Sequence, residues 1–173
     1  PIKEYFLDKP IYTYPANSSF AGSALINEYG EVLGIGSLYV ADAAAQGMSS
    51  PGNMFVPIND LKPILDDLIK NGKRTKDIKP YMGLTPSDNS GKVTITRVND
   101  NGPAAKAGFN KNDIILAVNN EKINSVEELY KKVWSFGGPG TKLEFEIKRN
   151  QKQLNIELTT MDRNDFFVKP KYY

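Results

Sequence analysis

The stretch from Asn101 to Val118 reads NGPAAKAGFNKNDIILAV, and it decides the fold of the second half of the chain. Pro103 suits the first position of a short helix, where its missing N–H is not needed, and Gly108 can take the left-handed conformation that ends one. Asp113 can then bond backbone amides at the entry to Ile114–Val118, a continuous apolar run that reads as a strand. A short helix, a tight turn and a buried strand are therefore expected in immediate succession.

Working outward, Val93 to Val98 alternates, and so do Leu143 to Ile147 and Leu154 to Leu158, with Asn150-Gln151-Lys152 supplying the turn between the last pair. Ser125 with Glu128 forms a capping box, after which Val126, Leu129, Tyr130 and Val133 make one helical face that stops at Gly137-Gly138. The polar stretch Asn71 to Asp77 has the composition of a domain linker. It divides the chain into a first domain at residues 1–72, a linker at 73–79, a second domain at 80–161 and a tail at 162–173.

In the first domain, Gly30 to Gly36 and Ser37 to Val40 read as a turn and strands, and Ala41 to Gly52 as a small-residue loop. Asn53 to Pro57 is a short strand closed by proline. Leu61, Ile64, Leu65 and Leu68 then fall at helical spacing, which predicts an amphipathic helix with Asn59 as its cap, Pro63 near the first turn and Gly72 just past its end.

Composition narrows the function. The chain has 173 residues, 40% hydrophobic and 24% charged, with a formal net charge of +2, so a packed core is expected. A nucleic acid or anionic membrane surface is not expected as a partner. Cysteine and histidine are both absent. That removes disulfides, thiolate nucleophiles, the commonest metal ligands and the commonest general base near neutral pH. No metal, nucleotide or other cofactor is expected. No apolar run approaches the ~20 residues that cross a bilayer. A start at Pro1 suggests a fragment or a processed chain.

The Asn101–Val118 stretch resembles the segment of the PDZ domains in HtrA-like serine proteases that reads sPAakAGlkkGDvIl. Asn112 departs from it, standing where the family usually has glycine, and asparagine is the next-best residue for a positive φ. Pro80-Tyr81-Met82-Gly83-Leu84 is similar to the carboxylate-binding loop of these domains. In such a loop exposed amides hold a peptide's C-terminal carboxylate, and the strand that follows accepts the peptide as an added strand. Gly83 would let an N–H turn toward an anion. By the same resemblance Leu129 and Val133, with Tyr130 as a third, line the pocket for the peptide's last side chain. For these three the alternative is the core-facing stripe of an amphipathic helix.

Tyr14 to Asn27, followed by EYGEVLGIGS, resembles the segment PGNSGGPLLNxxGEVxGI of the trypsin-like domain in the same proteases. Asn53 to Pro57 and the helix after it look like the strand and helix that close that domain. Counting back from Leu25-Ile26-Asn27 and Gly30-Glu31-Val32 puts Ala21 where the family has its nucleophilic serine, with Ser23-Ala24 in place of Gly-Pro. The backbone amides of Ser19 and Ala21 would form the oxyanion hole, while the family's histidine and aspartate belong to an upstream segment. Either the protein has lost its nucleophile or serine was replaced deliberately to stop self-cleavage. Ser18, Ser19 and Ser23 read as ordinary turn hydroxyls.

The resemblance implies a mainly β fold: the C-terminal strands and helix of a chymotrypsin-like barrel, followed by an α/β PDZ domain. It implies the C-terminal part of a serine endopeptidase of the bacterial periplasm or envelope, concerned with protein quality control and inactive as it stands. The other reading is a non-catalytic module that binds peptides. Expected partners are polypeptide substrates or peptide C-termini, the upstream half of the protease domain, and further copies of the chain. For the aromatic residues near the ends, Tyr5, Phe6, Phe166, Phe167, Tyr172 and Tyr173, packing on their own domain stands against packing on a neighbour.

Overall fold

The computed structural model describes residues 7, 9–44, 50–88 and 91–167. They divide into two compact units, one spanning residues 7–75 and the other running from residue 76 onward.

The first unit is an open antiparallel sheet of β1 (Ile11–Thr13), β2 (Ala24–Ile26), β3 (Val32–Val40) and β4 (Gly52–Pro57), in the order β1-β4-β3-β2. Glycine is required in β3, where a Cβ on Gly36 would lie 1.9 Å from the Phe20 carbonyl oxygen. Phe55 is buried, but Tyr12, Tyr14, Leu38 and Tyr39 stay largely exposed, so the sheet carries far more apolar surface than it covers. Within Ala41 to Gly52, residues 45–49 lie outside the described residues, and Ala43 donates its N–H to the Ser50 carbonyl.

The expected terminal helix is present in pieces: α1 (Ile58–Leu61), a 3₁₀ turn over Lys62–Ile64, and α2 (Leu65–Asn71). Pro63 causes the break, because it has no N–H to continue the helical ladder. Asn59 is not the cap. Strand β4 runs straight into the helix, Pro57 occupies the N-cap position, and no side chain caps it. Gly72 ends α2 at φ 65° and donates to Leu68. None of the helical residues is fully buried, and Ile69 is 74% exposed.

The second unit is built on a sheet in the order β10-β9-β7-β6-β5: β5 (Leu84–Ser87), β6 (Val93–Val98), β7 (Ile114–Val118), β9 (Lys142–Arg149) and β10 (Lys152–Thr159). The short β8 (Glu121–Lys122) pairs with β7. Helix α3 (Pro103–Ala107) ends at Gly108 with φ 91°, and Asn112 takes φ 73° in the turn before β7. Helix α4 (Val126–Ser135) is capped by the Ser125 hydroxyl, which accepts from the Glu128 amide, while the Glu128 carboxylate accepts from the Asn124 amide. That bond to Asn124, more than any other contact, holds the Glu128 carboxyl below its usual range. The last element is α5 (Arg163–Phe166).

One core serves the whole unit. Ile95, Leu129, Val133, Phe145, Ile147 and Leu158 are fully sequestered in it, with Phe109 meeting Phe145 edge-on at 5.2 Å. β9 buries Leu143, Phe145 and Ile147 as its alternation predicts, but on β10 only Leu158 is buried and Leu154 is 38% exposed. β10 is the sheet's edge, and its first half runs clear of the hydrophobic cluster. Asn150 and Gln151 make the hairpin turn, both at positive φ.

Candidate functional site

In the second unit the loop before β5 is clamped from two sides. Tyr81 and Met161 exchange backbone hydrogen bonds of 2.9 and 3.1 Å, the Met82 carbonyl accepts from the Ala104 amide at 2.9 Å, and the Gly83 carbonyl accepts from Asn99 at 2.8 Å. The Tyr81 ring is fixed as well, with its hydroxyl accepting from Asn99 Nδ2 at 2.6 Å and Phe166 packed 5.3 Å away. Phe166 therefore packs on its own unit, whereas Tyr5, Phe6, Tyr172 and Tyr173 lie outside the described residues.

With these carbonyls tied inward, the Met82 and Gly83 amides donate to no group among the described residues. Successive amides turned the same way around a residue of positive φ make a concavity suited to an anion, and Gly83 has φ 76°. Glycine is needed for space too, because a Cβ here would sit 3.1 Å from Pro103 Cδ. Gly83→Ala is expected to cost about 1–2 kcal/mol of stability from left-handed strain alone, readable as a shift of the urea midpoint.

The loop forms one wall of a small open cleft whose other wall is the end of α4. The helix residues on that wall are Tyr130 and Trp134, their rings 5.7 Å apart. Leu129 and Val133, expected there, are fully sequestered in the core instead. Leu129, Tyr130 and Val133 are all buried in the core cluster, with Val126 packed against it, and Tyr130 also lines the cleft with Trp134. Leu84 likewise turns its side chain into the core.

Two cations flank the cleft: Lys79, with Nζ 5.1 Å above the Trp134 ring, and Arg163, with its guanidinium 4.6 Å from the Phe167 ring. Both favour a carboxylate in the cleft. Sequence reasoning missed Trp134, Lys79 and Arg163. Trp134 could have been found as the residue one helical turn beyond Tyr130. Arg163 could not, since only folding brings the segment after β10 back to the loop.

In the first unit Ala21 is exposed in a tight turn, where Ser23 N–H donates to the Phe20 carbonyl at 2.9 Å and Gly22 takes φ 73°. The two amides expected to receive an oxyanion are not both open. Ser19 N–H donates to Asn17 Oδ1 at 2.9 Å, and Asn17 N–H donates in turn to Asn53 Oδ1 at 2.7 Å. The Ser23 hydroxyl is spent on the Phe20 carbonyl, and Ser18 is exposed. Asn53 is fully buried with its Nδ2 unpartnered, so the turn is held by a pair of asparagines that sequence reading passed over.

A helix-flanked antiparallel sheet with an open amide loop beside an apolar cleft defines the class: residues 80–160 match the PDZ domain family. The chain is 30% identical, over 84% of its length, to the serine protease Do-like HtrB of Bacillus subtilis, covering 34% of that protein. It is 31% identical to the serine endoprotease DegS of Salmonella typhimurium, again over 84% of the chain and 44% of the relative. The solved structure of the serine endoprotease from Yersinia pestis superposes with a TM-score of 0.51 at 29% identity, covering 80% of this chain and 46% of that one. The chain belongs to the HtrA-like serine proteases with a PDZ domain, and it covers the PDZ region with part of the protease domain. It spans less than half the length of these relatives.

Proposed function

We propose that the PDZ domain captures peptide C-termini, and that this chain is the peptide-recognising and substrate-shaping end of a serine endopeptidase, without catalytic power of its own. The observation that carries the reading is the pair of open amides at Met82 and Gly83, set against Tyr130 and Trp134 with Lys79 and Arg163 on either side. A terminal carboxylate would take the amides and the positive field, and an apolar last residue would lie on the aromatic wall.

Several observations support the remainder. The sequence has no histidine, and alanine stands at position 21 where the family pattern has serine. The exposed Tyr12, Tyr14, Leu38 and Tyr39 give the first unit a surface suited to the upstream half of a protease domain or to a further copy of the chain. Similarity to DegS and to a probable periplasmic DegP-like protease supports a parent in the bacterial envelope that acts in protein quality control. The engaged Ser19 amide favours the second reading, a non-catalytic relative in which the first unit only supports recognition.

Fluorescence anisotropy with a labelled peptide that ends in an apolar residue and a free carboxylate tests the cleft. Binding is expected to weaken about tenfold or more when that terminus is amidated, since a charge-assisted set of hydrogen bonds is lost. Equal affinity for acid and amide would reject the site.

A further inference from the structure

After β10 the chain turns back to the amide loop. Met161 makes the paired backbone bonds with Tyr81, which stands next to the first open amide, that of Met82. Asp162 then starts α5, its carboxylate accepting from the Asn164 amide at 2.8 Å. Arg163 and Phe166 fall on one face of that single turn, and both reach the site. Arg163 lines the cleft, and Phe166 packs on the Tyr81 ring. Phe166 Cε2 also lies 3.6 Å from the place a Cβ on Gly102 would take, and a Cβ on Gly83 would in turn lie 3.4 Å from Gly102 Cα. One ring thus touches the loop at Tyr81 and backs the residue against which Gly83 is set.

The loop's other restraints come from Asn99 and from Ala104, which is buried in the core. Helix α5 buries no residue fully, so its segment is the loop's least anchored neighbour. The two cations also differ in placement. The Lys79 ammonium is drawn over the Trp134 ring, on the helix wall. Arg163 follows the Met161 pair on the loop side, with its guanidinium over the Phe167 ring, and its planar fork can hold both oxygens of a carboxylate.

We propose that the segment from Met161 to Phe167 is a third wall of the peptide site, in which Phe166 positions the amide loop through Tyr81 and Arg163 selects a free carboxylate. The inference rests on the peptide-binding reading given above. Seating of this segment and binding of the carboxylate then favour each other, so the Tyr81–Met161 bonds open less often once a peptide is bound. The bland account of the segment is an apolar cover for the Tyr81 ring.

The test titrates a labelled peptide with an apolar last residue, as free acid and as amide, on the whole chain and on single variants of it. Arg163→Gln is expected to weaken the acid about fivefold, the worth of a charge-assisted hydrogen bond at a half-exposed site, with little effect on the amide. Lys79→Gln should cost the acid about twofold. Phe166→Ala should weaken both peptides about fivefold, and Phe166→Leu, which keeps an apolar side chain against Tyr81, should stay within about twofold of the native chain. Hydrogen exchange at the Tyr81 and Met161 amides should slow about fivefold with saturating acid peptide, which a mere cover would not produce. Full acid preference in Arg163→Gln, unchanged affinity in Phe166→Ala, or a larger loss from Lys79→Gln than from Arg163→Gln would overturn this inference and leave the peptide-binding reading standing. Failure of the native chain to bind, or to prefer the acid, would sink both.

Discussion

Casein is expected to stay intact in the presence of this chain, and Ala21→Ser by itself is expected to leave it intact. A serine hydroxyl becomes a nucleophile only when a base removes its proton, and the sequence contains no histidine to do so. The geometry adds a second obstacle: with the Ser19 amide bonded to Asn17 Oδ1, a tetrahedral intermediate at position 21 would find at most one of the two donors it needs. Loss of a single such donor costs about 10²–10³ in rate. The decisive comparison uses four proteins: this chain and a longer one carrying an upstream histidine and aspartate, each with Ala21 or with Ala21→Ser. Only the longer Ala21→Ser protein should degrade casein, at least about 10³-fold above the others. Activity of the present chain with Ala21 intact would remove Ala21 from the nucleophile position. Inactivity of the longer Ala21→Ser protein would favour the non-catalytic reading.

Arg149→Leu is expected to destabilise the PDZ domain by about 3 kcal/mol, because it strands a buried charge. The Asp113 side chain is 1% exposed and grips Arg149 in a two-point contact, Nε to Oδ1 and NH2 to Oδ2, both at 2.7 Å. The hydrogen bond to that carboxylate pushes the Arg149 guanidinium above its ordinary range, more than burial pulls it down. The arginine also donates to the Gly108 carbonyl at 2.8 Å, so one side chain ties the end of α3 and the entry of β7 to β9. After Arg149→Leu, Asp113 keeps only the Asn110 amide at 2.8 Å. Arg149 is 27% exposed and can turn to water, so Asp113→Asn should cost clearly less, and the double substitution less than the sum. Urea unfolding followed by Trp134 fluorescence checks this, and a loss under about 1 kcal/mol for Arg149→Leu would show the pair to be effectively solvated.

Local chemistry was legible wherever it depended on residues a few positions apart. Pro103, Gly108 and Asn112 each sit where their backbone preferences put them, and Ser125 with Glu128 forms the cap that its spacing announces. Strands β6, β9 and β10 follow from period-two alternation and β7 from a continuous apolar run, whereas the loop before β5 is expected only from its resemblance to the family's carboxylate-binding loop. Reading failed where a proline or a strand met a helix end: the one helix expected after β4 is broken at Pro63, and Asn59 caps nothing.

What the sequence determined by itself is the run of strands and helices between Val93 and Leu158 and the lack of any histidine or cysteine chemistry, because these depend on composition and short-range backbone preference. Only the tertiary structure decided which helix residues face the cleft. Leu129 and Tyr130 are adjacent in the chain and both are buried in the core cluster, yet of the two only Tyr130, with Trp134, also lines the cleft. The same holds for Arg149 against Asp113, for Asn17 against Asn53, and for Arg163 and Phe166 beside the Tyr81 loop. These partners are brought together by strand pairing and chain return, which no local pattern encodes.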